Sequence, residues 1–78
     1  MFLEIITPEE KLFEGEVTSV KLPGKSGEFE VLNNHTSIVS SLIAGNIRVI
    51  THENNTENFS TNGGVIEMQN NKIIVLLS

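Results

Sequence analysis

Residues 20–32 read VKLPGKSGEFEVL, and the fold turns on how this stretch is read. Gly24-Lys25-Ser26 looks like the tail of a phosphate-binding loop. Such a loop wants a glycine five positions before its Gly-Lys-Ser, and that position holds Ser19. It also wants a helix to follow, so that amide N–H groups and the helix dipole point at the phosphates. Here Glu28-Phe29-Glu30-Val31-Leu32 alternates as a strand does. A Gly-x-x-Gly clamp on nucleic acid fails for a similar reason, since it lacks flanking helices and a basic surround. The stretch is therefore a β-hairpin loop with two glycines between alternating runs.

The same grammar extends outward. Leu3 and Ile5 alternate with Phe2, Glu4 and Ile6 until Thr7-Pro8-Glu9-Glu10 breaks the run. Val20 and Leu22 are expected to share a face with Thr18. Asn33-Asn34 is a turn signal, because asparagine tolerates left-handed backbone. Ile38, Val39, Leu42 and Ile43 form the next run, and Gly45-Asn46 turns the chain into Ile47, Val49 and Thr51. His52 to Asn58 is polar and is expected to be a hairpin loop. Val65 to Gln69 is a strand, and Asn70-Asn71 turns it tightly into Lys72–Leu77. That last run is apolar on both faces, which predicts a strand covered on both sides. No interval is left for a long helix. The expected fold is all-β, a flattened β-sandwich or barrel of about eight to ten short strands. It forms one domain over residues 1–78.

Composition bounds the function. With 38% hydrophobic residues in 78, the core is thin. There is no cysteine to staple it, so packing or a partner must supply the remaining stability. The 10 acidic residues outnumber the 5 basic ones, for a net charge of −5. That balance repels phosphate backbones and anionic lipid, so nucleic acid and membrane surfaces are poor partners. No apolar run reaches the length of a membrane span, and the start lacks the basic region of a signal peptide. Without that signal, the sequons at Asn34, Asn54 and Asn58 carry no weight.

No reactive centre emerges. His35 and His52 are the only histidines, too few for a metal or catalytic site unless other ligands converge on them. Glu28 and Glu30 share a strand face, but a catalytic carboxylate pair needs a cleft that keeps one acid dry. Aromatic residues are 5%, which leaves little for stacking on sugars or single strands. From the residues alone this is a small acidic β-domain whose work is contact.

Several segments in order are more specific: LEIITPE at 3–9, LFEGEV at 12–17, VKLPGKSGEFEVLNNH at 20–35, GNIRVI at 45–50, GGVIEM at 63–68 and KIIVLL at 72–77. This series resembles the epsilon subunit of rotary ATP synthases over essentially the whole chain. The resemblance implies the N-terminal β-sandwich of that subunit, a non-catalytic part of the rotor that docks on the gamma subunit and on the polar loops of the c-ring. It implies a c-ring-facing loop of Lys25, Ser26, Gly27, Glu28 and Glu30, and a gamma-facing set of His35, Thr36, Ile38, Ser40 and Leu42. No cofactor, metal, small-molecule substrate, nucleic acid or direct membrane insertion is implied. The expected location is peripheral, on the cytoplasmic face of a bacterial inner membrane. The chain departs from the family pattern at Glu30, where most members have glycine. It departs again at Asn33-Asn34, a proline-glycine turn elsewhere, and at Thr36-Ser37, elsewhere alanine-proline. It also stops where typical bacterial members continue into an inhibitory helical hairpin: if this is the natural length, coupling without that brake is expected, and if the chain is truncated the expectation covers these 78 residues alone. The alternative reading is a stand-alone β-sandwich module that binds a protein or ligand.

Overall fold

A computed structural model describes residues 1–78. It contains eight strands and no helix: β1 Phe2–Ile6, β2 Lys11–Gly24, β3 Gly27–Leu32, β4 Ile38–Leu42, β5 Gly45–Thr51, β6 Thr56–Thr61, β7 Gly64–Gln69 and β8 Lys72–Leu77. The all-β expectation holds.

The strands form two layers joined through β2. One layer runs β4-β7-β8-β1 and closes on the first half of β2, with β1 and β8 parallel and the other pairs antiparallel. The second layer is β3, the latter half of β2, β5 and β6. A single bridge, Gly24 to Leu42, links β2 to β4 at the far corner. The 14-residue β2 can serve both layers because it carries a bulge. Val17 pairs with Thr51 and Ser19 with Ile50, so Thr18 is the extra residue. A bulge bends the strand and raises its twist. It also resets which side chains point inward. Val17 is buried before the bulge, and Val20 and Leu22 are buried after it. Thr18, expected beside Val20 and Leu22, is instead exposed.

The core lies between the layers. Leu3, Ile5, Ile66, Met68, Ile73 and Val75 face it from the first layer, and Val20, Leu22, Val31, Ile47 and Val49 from the second. All eleven are at most 1% exposed. At roughly 1.5–3 kcal/mol per fully buried large side chain, this cluster dominates the favourable side of folding.

Two expectations need correction. The last strand is covered on one side only: Ile73, Val75 and Leu77 are buried, whereas Leu76 is 52% exposed. Two layers can cover only one face of each strand, and this chain supplies no third layer. The polar segment from His52 to Asn58 is not all loop. The turn ends at Asn55, and Thr56, Glu57 and Asn58 begin β6, pairing with Ile50, Val49 and Arg48. β6 ends its sheet and is mostly exposed, so polar side chains fit it without loss.

Candidate docking surface at the two ends of β3

β2 and β3 form a regular hairpin from the Ser19–Leu32 pair to the Gly24–Gly27 pair, leaving Lys25-Ser26 as the tip. Its glycines are required. A Cβ on Gly24 would lie 2.7 Å from the Gly27 carbonyl oxygen and 2.7 Å from the Phe29 ring. Gly27 has φ +128°, which L side chains rarely adopt. Lys25, Ser26, Gly27 and Glu28 are all exposed. The tip is thus a tight, polar projection and holds no helix N-terminus for a phosphate.

The two glutamates of β3 face the same way but meet different surroundings. Glu28 has one ionic partner, Lys21 Nζ at 3.3 Å, and both side chains are well exposed. Glu30 is held more firmly. Its Oε2 accepts from the Ser19 hydroxyl at 2.5 Å and from Arg48 Nη2 at 2.8 Å. Arg48 Nη2 also donates to Ser19 Oγ at 3.0 Å, and its Nε is buried without a partner. The Ser19 hydroxyl bond holds the Glu30 carboxyl below its ordinary range, opposed by partial desolvation and helped by the Arg48 guanidinium.

At the other end of β3, the Asn33-Asn34 turn adopts left-handed backbone at Asn34, with φ 62°. Asn71, in the β7–β8 turn, clamps it. Asn71 Oδ1 accepts from the Asn34 N–H at 2.8 Å, and Asn71 Nδ2 donates to Asn33 Oδ1 at 3.1 Å. The Met1 ammonium donates to the same Asn33 oxygen at 2.9 Å. His35 is exposed, and its Nδ1 donates to the Thr36 carbonyl at 2.7 Å.

The candidate residues therefore fall into two groups. Lys25, Ser26, Gly27 and Glu28 cluster at the hairpin tip. His35 and Thr36 lie beyond the opposite end of β3, about 20 Å away along six residues of strand. The β4 residues do not form one exposed face. Ile38 and Ser40 are half-buried, whereas Leu42 is 6% exposed and belongs to the core; Thr36, which precedes the strand, is open. The outward side of β4 carries Val39 and Ser41. It continues across pairs to Val65 on β7 and Leu76 on β8, and Val39, Val65 and Leu76 are exposed apolar residues.

Ser19, Arg48 and Asn71 were not anticipated from the sequence. Arg48 does sit outward between the inward Ile47 and Val49, but its meeting with Glu30 depends on the strand order β3-β2-β5, which no local pattern carries. No group of three metal-ligating side chains comes together. A groove of about 350 Å³ beside His52 is lined by Glu14, Glu16, Glu53 and Glu57 and includes none of the candidate residues.

The family model for the β-sandwich domain of the ATP synthase delta/epsilon chain matches residues 1–78. Among curated relatives, the ATP synthase epsilon chain of Sulfurimonas denitrificans is 43% identical over 96% of this chain and 58% of its own length. That of Chlorobium limicola is 36% identical over 95% of this chain and 84% of its own length. The chain thus spans little more than half of the first relative and most of the second. Among solved structures, a chain of the Euglena gracilis mitochondrial ATP synthase superposes with a TM-score of 0.89, covering 96% of this chain and 48% of that one. At 19% identity this likeness speaks for the fold alone. A chain of the Tetrahymena thermophila central stalk and c-ring structure gives 0.80 at 15% identity, covering 99% and 62%. With the whole of its length matched and its two-layer sandwich shared, this chain belongs to the ATP synthase delta/epsilon family, as its β-sandwich domain.

Proposed function

We propose that this chain acts in the central stalk of a proton-translocating ATP synthase, passing torque between the gamma subunit and the c-ring without chemistry of its own. The observation that carries this reading is the family match along all 78 residues. In this reading the hairpin tip, with Lys25, Ser26, Gly27 and Glu28, meets the polar loops of the c-ring. The turn at His35 and Thr36 and the adjoining β4, with Ile38 and Ser40 at its margin, approach gamma. The subunit then works peripherally at the cytoplasmic side of a bacterial inner membrane.

The physical requirements fit. A rotor part gripped at two places must be stiff, and strands joined by main-chain hydrogen bonds over a close-packed core compress little. Two contact groups at opposite ends of β3 suit a body held between two partners. An acidic residue at a polar tip steers docking on a basic surface more than it strengthens it, and one exposed ion pair contributes only about 0–1 kcal/mol. Most of the affinity then comes from a larger patch, of ordinary size near 800 Å² per partner. The exposed Val39, Val65 and Leu76 supply apolar area that such a patch uses.

The test is recovery of the chain from native membranes, followed by Glu28→Lys in the assembled enzyme. Co-purification with gamma and the c-ring, with modestly weakened proton-coupled ATP synthesis in the variant, is expected. Recovery with an unrelated partner would favour a stand-alone binding module.

A further inference from the structure

β3 is an edge strand whose only ladder is with β2. Its inward anchors are the buried Val31 and the half-buried Phe29. On the opposite, outward face a second tie joins β3 to the sheet. The registers place Glu30, Lys21 and Arg48 in one row across β3, β2 and β5. Arg48 must therefore reach over β2 to bond Glu30, across two strand spacings of about 4.8 Å each. It does so beside Ser19, which is 4% exposed and bonded to both partners.

We propose that Glu30 is a positioning residue and not a contact residue: through Arg48 and Ser19 it cross-braces β3 to β5 and fixes the pitch of the hairpin tip. The inference rests on the docking role given above to that tip. It divides the labour between the two glutamates. Glu30 has its acceptor oxygen engaged by two internal donors, one of them charged, and such charge-assisted bonds are the stronger kind. Glu28 has only the exposed Lys21 and can exchange it for an outside partner at little cost. Charge on β3 thus serves two purposes. The inner glutamate holds the hairpin in place, and the outer one is presented by it.

Hydrogen exchange on the 78-residue chain tests the brace without any partner. Glu30→Gln and Arg48→Gln should each accelerate exchange of the β3 amides bonded to β2 by about tenfold. Exchange in β7 and β8 should move less than about twofold, because those strands lie in the other layer. The double variant should be no worse than either single one, and Glu30→Asp should recover part of the protection. Unchanged β3 exchange overturns the proposal, as does equal acceleration in every strand, which would mark a general loss of stability. Affinity for the purified gamma and c-ring assembly separates the two readings. Weaker binding by Glu30→Gln with unaltered β3 exchange would make Glu30 a direct contact and overturn the brace. Unaltered binding by Glu28→Lys, with fast β3 exchange in Glu30→Gln, would remove the docking role and leave the brace standing.

Discussion

Phe13 on β2 and Phe59 on β6 meet edge to face, with ring centroids 6.0 Å apart and planes at 70°. They belong to different layers, since Phe13 pairs with Ile5 of β1 and Phe59 with Ile47 of β5. No ladder joins β6 to the first layer, so the two rings tie them together along one side. An edge-to-face pair is worth about 0.5–1.5 kcal/mol beyond its area. A double-mutant cycle with Phe13→Leu and Phe59→Leu, read by urea melting, should give a coupling energy near 1 kcal/mol. Strict additivity would mean that the rings only fill space.

Gly24 and Gly15 lie in the same strand and should respond in opposite directions to alanine. At Gly24 the new methyl would crowd the Gly27 carbonyl, which the hairpin holds in place. Gly24→Ala should cost about 1–3 kcal/mol, the usual penalty for overpacking. At Gly15 the nearest atom to a new Cβ is on the Phe13 ring at 3.7 Å, an ordinary contact. Gly15→Ala should therefore stabilise by about 0.5 kcal/mol, by narrowing the unfolded ensemble. Thermal melting separates the two, since each kcal/mol moves Tm by about 4–8 °C in a domain of this size.

Val75 is fully buried at the centre of the first layer, paired with Ile5 on one side and Ile66 on the other. Val75→Asp would place a carboxyl there with no donor to meet it. A domain of this length has about 4–12 kcal/mol of total stability, and the variant should be unfolded at room temperature. Native-like circular dichroism and a cooperative melt in Val75→Asp would contradict this account of the core.

How much of this was legible in the residues follows from which forces are local. The alternation of Phe29 and Val31 against Glu28 and Glu30, and the asparagines at left-handed turns, are properties of short segments, and they carried the strand content and most boundaries. Covering is a property of layers. Ile74 and Leu76 are as apolar as Ile73 and Val75, and only the layer count shows that they face outward. The β2 bulge was likewise unreadable, because Thr18 differs from its neighbours only through the register that β5 imposes. For the candidate site, the hairpin tip was visible in Gly24 to Glu28. The donors that hold Glu30 lie 11 and 18 residues away in sequence and meet it only through strand order.

The Glu30 brace has a definite pH dependence. Its carboxyl is held below the ordinary value of about 4.5, first by the Ser19 hydroxyl and then, against partial desolvation, by Arg48 and Lys21. A group whose folded pKa is lowered adds stability above its unfolded value, and that addition disappears as pH falls through the folded value. The brace should be intact at neutral pH and open only below pH 4.5. Consequently the difference between the wild type and Glu30→Gln should shrink in acid. A carboxyl carbon titration by NMR checks the premise directly. A Glu30 midpoint at or above the ordinary value would remove it.

Asn71 does two jobs that substitution can separate. Its backbone is left-handed, with φ 60°, beside Asn70 at φ 54°, the pattern of a tight hairpin turn. Its side chain meanwhile clamps the Asn33-Asn34 turn across the molecule. Asn71→Ala would disturb both at once. Asn71→Gly keeps the backbone conformation at no steric cost and deletes only the clamp. That variant should lose about 1 kcal/mol, the net worth of one or two partly exposed hydrogen bonds. The loss should be local: Asn34 amide exchange should quicken, while the β7–β8 amides flanking the turn stay protected. Asn71→Asp keeps the acceptor for the Asn34 N–H but loses the donor to Asn33, so it should fall between the two. If Asn71→Gly instead matches the wild type at Asn34, the β3–β4 turn is held by its own Asn34 conformation and by the Met1 contact, and the clamp is incidental.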